Sequence, residues 1–286
     1  MSNPLVSVIC LCYNHERFVK ASIRSVIEQT YPNIEIIVVD DHSTDSSVRE
    51  IENLQIEYPQ IKFYPLNENV GNCKAFNIGL ANSTGDFIID LASDDLLLAD
   101  RVSKGVIALN NAGELYGVNF CNAAIINDES IILNHFYPID QNGRANATVP
   151  QGDLYVDLIK KYFICSPTML IRREVFTKLN GYDEELAYED FDFWVRSARD
   201  FNYCFTDEVL VQKRKLKGSM SERQYQRKSE QMRSTLVVCK KIMDMNRTKS
   251  EKKALRKRIY YEMRQCIKVM DTRLFFDYLK LLLKNS

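Results

Sequence analysis

The chain has 286 residues, of which 45% are hydrophobic and 27% are charged, as is usual for a globular protein with a full hydrophobic core. The 38 basic and 38 acidic residues balance, but residues 1–210 carry 16 Lys and Arg against 31 Asp and Glu, and residues 211–286 carry 22 against 7. No run of about 18 apolar residues occurs, which excludes a membrane-spanning helix.

The cysteines and the first residues indicate the compartment. Eight cysteines form no C-x-x-C pair and no zinc-finger spacing, and the opening "MSNPLVSVICLC" lacks the basic and long apolar regions of a signal peptide. We therefore expect reduced cysteines and a cytoplasmic protein, either free or peripheral at the inner face of the membrane.

The first hundred residues alternate apolar strands with helices. The predicted strands lie at residues 5–14, 34–41, 61–67 and 86–92. Helices follow the first three, and for the second of them Ser43, Thr44 and Asp45 are candidate N-caps. Strands that are apolar throughout predict an α/β domain with a mainly parallel sheet, whose ligands bind beyond the carboxyl ends of the strands.

The second half of the chain is less regular. We predict two antiparallel strands between residues 115 and 139, a short helix at 155–163, and a strand, helix and turn that end at Asn180-Gly181. An acidic-to-basic helix with the single tryptophan follows. From Asn246 onward, apolar residues recur every three or four positions, which predicts one long amphipathic helix with these residues on its apolar face: Ile259, Met263, Ile267, Met270, Leu274, Tyr278 and Leu282.

Acidic pairs end two of the predicted strands, Asp40-Asp41 and Asp94-Asp95. Ionised carboxylates at the edge of a core need a counter-charge, and a hard divalent cation takes one or two of them together with substrate phosphates. On these residues alone, Asp94 could instead cap the next turn.

Several common active sites are excluded by their motifs. The first strand leads into "YNHERF" without the G-x-G-x-x-G of a dinucleotide site, and the chain contains no P-loop. The three histidines form no H-E-x-x-H motif, and no G-x-S-x-G elbow is present.

Several separated segments, in order, resemble the nucleotide-sugar domain of inverting family 2 glycosyltransferases with the GT-A fold. They are "VSVICLCYN", "IEIIVVDDHSTDSS", "NENVGNCKAFNIG", "GDFIIDLASDDLLLADR", "SPTMLIRREVFTKLNGYDEEL" and "YEDFDFWVR". The resemblance covers roughly residues 5–221. It implies a GT-A catalytic domain at 1–221, with a mainly parallel central sheet flanked by helices, and a basic helical extension at 222–286.

The resemblance also implies roles for the acidic edge. Tyr13 and Asn14 would line the nucleobase pocket, and Asp41 would hydrogen-bond the base. Asp94 would contact the ribose, and Asp95 would bind the metal that bridges the diphosphate. The implied cofactor is a divalent cation, Mn²⁺ or Mg²⁺.

Further positions follow from the same resemblance. Lys74 would lie near the sugar or the phosphates, although a surface lysine fits the sequence equally well. Ser166, Pro167 and Thr168, together with Trp194, would shape the donor and acceptor pocket.

The pair Glu189-Asp190 matches the position of the family's catalytic base. We favour Asp190 and keep Glu189 as the alternative. Acids at this place could also simply complement a helix dipole.

One segment departs from the family pattern. Many relatives have an R-x-H-x-G-S-like segment whose histidine approaches the metal, but this chain has Leu216 at that position. Either the metal then has fewer protein ligands, or Arg214, Lys215 or Lys217 neutralises part of the diphosphate charge.

The predicted reaction is inverting transfer of a hexosyl or N-acetylhexosaminyl group from a nucleotide-sugar donor, UDP by default, to a glycan or lipid-linked acceptor in polysaccharide biosynthesis. Two alternatives are a non-catalytic sugar-nucleotide-binding or assembly subunit and a sugar nucleotidyltransferase. No nucleic-acid partner is expected. The basic extension could bind an anionic membrane, form a homodimer, or pack on its own domain.

Overall fold

The structure is a computed structural model that describes residues 3–216 and 224–285. In these ranges one mixed sheet contains nine strands: β1 (Val6–Cys12), β2 (Ile34–Asp40), β3 (Lys62–Pro65), β4 (Phe87–Ala92), β5 (Leu96–Leu97), β6 (Tyr116–Ile126), β7 (Ile132–His135), β8 (Leu170–Arg172) and β9 (Asn202–Arg214).

Helices cover both faces of the sheet and follow it in the chain. They are α1 (Val19–Ile27), α2 (Ser47–Glu57), α3 (Asn72–Ala81), α4 (Arg101–Ala112), α5 (Tyr155–Lys160), α6 (Arg173–Leu179), α7 (Asp190–Ser197), α8 (Glu230–Met245), α9 (Lys249–Lys268) and α10 (Thr272–Lys284), with a short 3₁₀ turn at Ser166–Thr168.

The strand order is β3-β2-β1-β4-β8-β6-β9-β5, with β7 added on β6. The four N-terminal strands are mutually parallel, as the apolar runs predict. In the other half, β6 and β9 run parallel to each other, and β8, β5 and β7 pair antiparallel to their neighbours.

The continuous apolar sequence of β1 follows from burial on both faces. Val8 and Cys10 point into one hydrophobic cluster, and Ile9 and Leu11 point into the other. Successive side chains of a strand face opposite sides, so a strand covered on both sides must be apolar at every position.

One local expectation, the N-cap of α2, is corrected. The N-cap of α2 is Ser46, so none of the three candidates occupies that position, although Oδ1 of Asp45 accepts the N–H of Ser47 at 2.9 Å. All eight cysteines are free and buried, as their spacing predicts.

The single long helix predicted from Asn246 is two helices. A capping box at Thr248 and Glu251 begins α9, and the chain breaks at Met270, whose φ is 54°. Asp271 then caps α10 by accepting the N–H of Leu274 at 3.0 Å. Ile267, expected on the apolar face, is exposed, as is Met270.

The three C-terminal helices, α8–α10, are called the helical layer below. Leu255, Ile259 and Tyr278 belong to the same core cluster as Leu158 and Phe191. Of the three alternatives left open for the C-terminal segment, the structure shows packing on its own domain. In the described part of the chain, no helix is both long and apolar enough to cross a membrane.

Candidate functional site

The loops after β1, β2 and β4 meet at the carboxyl edge of the sheet. The N–H of Asp41 donates to the carbonyl of Cys12 at 2.8 Å, and the N–H of Ser93 donates to the carbonyl of Leu11 at 2.9 Å. Because parallel strands end at the same edge, polar residues from distant parts of the sequence are brought together here.

Asn14 and His42 both have left-handed backbones, with φ of 56° and 66°. Such residues are uncommon and cluster at functional sites. The Asn14 side chain stabilises the turn, because its Oδ1 accepts the N–H of Thr44 at 2.8 Å. Beside it, Tyr13 is 47% exposed, so its ring is free to contact a ligand.

Asp41 connects the second loop to the start of α3. Its two carboxylate oxygens accept the N–H groups of Val70 at 2.7 Å and Gly71 at 3.0 Å. Burial raises the pKa of Asp41, and these two hydrogen bonds counteract part of that rise. Lys74 lies exposed in the first turn of α3.

Asp95 is buried at the end of β4, and its Oδ1 accepts the N–H of Arg214 at 2.7 Å. Burial and the neighbouring charge of Asp94 raise the pKa of Asp95 to about 8, against the opposing effects of Lys213 and Arg214. A buried carboxylate beside a like charge is a site where a cation stabilises the ionised form.

Arg214 holds the loops around this site. Its guanidinium donates to the carbonyls of Asp94 at 2.9 Å and Asn127 at 2.6 Å, and its Cζ lies 4.5 Å from the centre of the Phe18 ring. These contacts occupy much of its donor capacity. Lys215 is exposed, and Lys217 lies outside the described residues.

Lys213 is a site residue that the sequence analysis missed. Burial would lower its pKa, but Cys165 and the carboxylates of Asp95 and Asp190 raise it above the usual value. Its ammonium makes no ion pair within 4 Å and donates no hydrogen bond to any residue in the described ranges. Lys213 is therefore a partly buried cation that interacts electrostatically with both acidic groups and has no direct partner among the described residues.

Glu189 and Asp190 begin α7 and are partly buried. Burial, followed by the charges of Asp190 and Asp90, raises the pKa of Glu189 well above its usual value, although Asn72 Nδ2 donates to Glu189 Oε2 at 2.7 Å. Burial also raises the pKa of Asp190, but Ser166 and Lys213 act in the opposite direction.

A third carboxylate, Asp90, belongs to the same group and was also missed. Burial is the main cause that raises its pKa to about 7, and Asp190 adds to the rise. The hydroxyl of Tyr182 donates to Asp90 Oδ2 at 3.0 Å. The sequence did contain a signal for this residue, because Asp90 is an acidic residue inside the otherwise apolar strand "FIIDLA".

Three of the four residues predicted to shape the donor and acceptor pocket are buried. Of the four, only Ser166 is partly exposed, whereas Pro167 and Thr168 are buried. Trp194 is 3% exposed, and its Nε1 donates to the Met169 sulfur at 3.4 Å. These three side chains therefore support the site from the core and do not line an open surface.

The residues at the edge fit a hard cation that takes its other ligands from a substrate. Asp94 and Asp95 offer carboxylate oxygens, and because burial and the charge of Asp94 raise the pKa of Asp95, a bound cation would favour its ionised form. Within the described ranges no group of three or more His, Cys, Asp or Glu side chains is arranged to hold a metal ion.

Comparison with known proteins identifies the family. The family model "Glycosyl transferase family 2" matches residues 7–179. An uncharacterized glycosyltransferase of Rickettsia typhi is 30% identical over 213 residues, covering 74% of this chain and 64% of the relative. Another from Methanocaldococcus jannaschii is 29% identical over 223 residues, covering 75% and 72%. The chain thus spans less than two thirds of the Rickettsia protein.

Two solved structures share the fold. Staphylococcus aureus TarS 1-349, in complex with UDP-GlcNAc, superposes with a TM-score of 0.76 at 18% identity, covering 98% of this chain and 81% of that one. The mannosyltransferase PcManGT of Pyrobaculum calidifontis, in complex with GDP-Man and Mn²⁺, gives 0.63 at 14% identity, covering 100% and 88%. The expected GT-A fold is confirmed, and the chain belongs to glycosyl transferase family 2.

Proposed function

We propose that the protein is an inverting glycosyltransferase that moves a sugar from a nucleotide diphosphate to a glycan or lipid-linked acceptor, with Asp190 as the base and Asp95 as the metal ligand. The observation that carries the proposal is the join of β9 to the acidic edge: the N–H of Arg214 donates to Oδ1 of Asp95 at 2.7 Å, and the preceding Lys213 interacts electrostatically with Asp94, Asp95 and Asp190. One cation facing both acidic groups supports their sharing a single anionic ligand.

The base acts on the acceptor. The acceptor oxygen attacks the anomeric carbon from the side opposite the diphosphate, and the carbon–oxygen bond to the diphosphate breaks as the new bond forms. The nucleoside diphosphate leaves with the electron pair, and the acceptor proton passes to the carboxylate. A positioned base of this kind contributes about 10²- to 10⁴-fold.

Asp190 fits the role of base better than Glu189. The pKa of Glu189 is raised well above its usual value, so this side chain keeps its proton more readily. Ser166 and Lys213 favour the ionised form of Asp190. Its Oδ1 is buried and has no hydrogen-bond partner among the described residues, so one acceptor of this carboxyl is unsatisfied.

The leaving diphosphate needs positive charge. When bound, a divalent cation held by Asp94 and Asp95 would act as a Lewis acid on the phosphate oxygens. Lys213 would add a fixed charge from β9. Together they compensate for Leu216, which stands where many relatives have a histidine and cannot ligate a metal.

The donor base and sugar are left to experiment, with UDP and a hexosyl or N-acetylhexosaminyl group as first choices. TarS and PcManGT were solved with UDP-GlcNAc and GDP-Man, so both bases belong in the screen. The test is a thermal-shift screen of UDP- and GDP-sugars with and without Mn²⁺. A ligand at a hundred times its Kd stabilises the protein by about 2.7 kcal/mol. If no nucleotide shifts the melting temperature, the proposal fails.

A cytoplasmic location at the inner face of an anionic membrane is part of the proposal. Two acids lie on α9, Glu251 and Glu262, and both are buried. The exposed part of this helix therefore carries cations beside two tyrosines: Lys249, Lys252, Lys253, Arg256, Lys257, Tyr260, Tyr261, Arg264 and Lys268. A basic helix face with aromatic residues suits an anionic lipid surface, where a lipid-linked acceptor would lie.

A further inference from the structure

The helical layer contacts the segment that carries the proposed base, residues 183–192. Two of these contacts immediately precede Glu189. The N–H of Ala187 donates to Oγ of Ser234 at 2.9 Å, and the hydroxyls of Tyr188 and Thr235 lie 2.8 Å apart. Both partners belong to α8, so this helix fixes the approach of the chain to the base.

A lysine of α8 contacts acidic residues on both sides of the base in the sequence. Nζ of Lys241, on α8, donates to Oδ1 of Asp192 at 2.7 Å and also pairs with Asp183. Asp192 is nearly fully buried, and it pairs in addition with Arg196 at 2.6 Å. The first turn of α7 is therefore held from the same helix on both sides of Glu189 and Asp190.

Arg258, on α9, makes the deepest of these contacts. Only 2% of this residue is exposed, and its Cζ lies 4.9 Å from the ring centre of Phe191, the residue after Asp190. The same Cζ lies 4.1 Å from the ring centre of Tyr162. Nε donates to the carbonyl of Ile159 at 2.8 Å, and Nη1 donates to Glu262 at 3.2 Å.

The buried ion pair of Arg258 and Glu262 costs desolvation free energy, so stability alone does not explain it. Nη2 of Arg258 and Oε2 of Glu262 are buried and have no hydrogen-bond partner among the described residues. Replacing a buried ion pair with packed apolar side chains is often neutral or stabilising. A planar guanidinium, however, sets the orientation of the rings and carbonyl around it, which an apolar side chain does not.

We propose that the helical layer, acting chiefly through Arg258, positions Glu189 and Asp190 for proton removal and so belongs to the catalytic apparatus. Arg258 is a positioning residue, since it touches Phe191 and not the reacting atoms. The proposal rests on the proposed function, because it assumes that this acidic pair supplies the base. The family model ends at residue 179, so the helices involved lie beyond it.

The chain offers a matched control at the same interface. Arg199 also lies over a ring, with its Cζ 3.7 Å from the centre of Tyr155, and it also donates to a carbonyl, that of Met245 at 3.1 Å. It likewise pairs with a glutamate of α9, Glu251, at 2.9 Å. None of these contacts involves residues 183–192, so Arg199→Lys perturbs the interface without the proposed positioning.

The experiment compares Arg258→Lys with Arg199→Lys in the full chain. Hydrogen exchange of residues 187–193 is measured without substrate, below both melting temperatures. Hydrolysis of the donor that the screen identifies gives kcat, and calorimetric titration with its nucleoside diphosphate gives Kd. We expect faster exchange and a kcat about 10- to 100-fold lower in Arg258→Lys, as small misplacements cause, with Kd little changed. Arg199→Lys should leave kcat and this exchange unchanged.

A milder variant guards against loss of folding. Thr235→Val removes the contact with Tyr188 and leaves Arg258 in place, and we expect a smaller change in the same direction. Unchanged exchange at 187–193 in Arg258→Lys, or equal changes in Arg199→Lys, would overturn the proposal. If the wild type processes no donor, the proposed function fails, and the exchange data alone decide whether the layer orders this segment.

Discussion

The N–H of Arg214 donates to Oδ1 of Asp95 at 2.7 Å, so the last residue of β9 is joined to the loop that ends β4, 119 residues earlier. The preceding residue, Lys213, lies on the opposite face of the strand and interacts with Asp190. Two adjacent residues of one strand thus connect the proposed metal ligand with the proposed base.

This relationship predicts the effect of removing the lysine. Lys213→Met should weaken binding of UDP or GDP by about tenfold or more, because a hydrogen bond to a charged group contributes about 1.5–3 kcal/mol. Lys252→Met, at an exposed lysine of α9, is the control and should bind almost as the wild type does. Calorimetric titration measures both affinities. Equal affinities in the two variants would show that Lys213 does not contact the diphosphate.

Substitution of the base should affect turnover and spare donor binding. Asp190→Asn removes the proton acceptor and keeps the shape, so we expect kcat to fall by about 10²- to 10⁴-fold with little change in donor affinity. Glu189→Gln should lower kcat by a smaller factor, since the raised pKa of the Glu189 carboxyl already favours its protonated form. Steady-state kinetics on both variants separate the two roles. A larger loss in Glu189→Gln would make Glu189 the base.

The pH dependence of stability follows from Asp90. Its pKa is about 7 in the folded protein, against an ordinary value of 3.8, so the folded state binds more protons than the unfolded state between these values. The free energy of unfolding should therefore fall as the pH rises through this range.

Thermal melts of the wild type and Asp90→Asn, in the same buffers from about pH 5 to pH 8, test this expectation. The melting temperature of Asp90→Asn should depend less steeply on pH, because the amide does not titrate. Parallel curves for the two proteins would mean that the Asp90 carboxyl titrates normally.

The exposed cations of α9 give the membrane prediction. Truncating the helical layer would expose the core residues that pack against it, such as Leu158 and Phe191, so charge reversal is the cleaner change. Lys253→Glu with Lys257→Glu should abolish sedimentation with vesicles that contain anionic lipid, since each cation contributes about 1 kcal/mol near such a surface. Vesicles of neutral lipid are the control. Retention of this variant equal to that of the wild type would contradict membrane binding.

Much of the acidic edge could be predicted from the sequence. Parallel strands that end in Asp41 and Asp95 place both residues at one edge, and this requires only the strand pattern. Lys213 could not be found this way, because its place depends on how β9 pairs with β6 and on the side of the strand it faces. Lys213 and Arg214 are both basic in the sequence. The fold shows that Arg214 holds the loops, whereas Lys213 has no direct partner among the described residues.

The C-terminal segment shows a different limit. Its apolar period continues through Met270, but the helix ends there because Met270 adopts a left-handed φ that its side chain does not signal. Asp271 is a residue type that commonly caps helices, but the continuous apolar period across it predicted one helix. The contacts between the helical layer and residues 183–192 depend on tertiary packing, so neither segment predicts them alone.

The central claim is that Asp95 and Lys213 bind the diphosphate of one nucleotide-sugar, while Asp190 serves as the base on the acceptor side. The most direct measurement is calorimetric titration of the wild type with UDP and GDP, with and without Mn²⁺. We predict saturable binding of one nucleotide per chain, strengthened by Mn²⁺ in the wild type but not in Asp95→Asn. Absence of binding by either nucleotide, or an equal effect of Mn²⁺ on both proteins, would contradict this account.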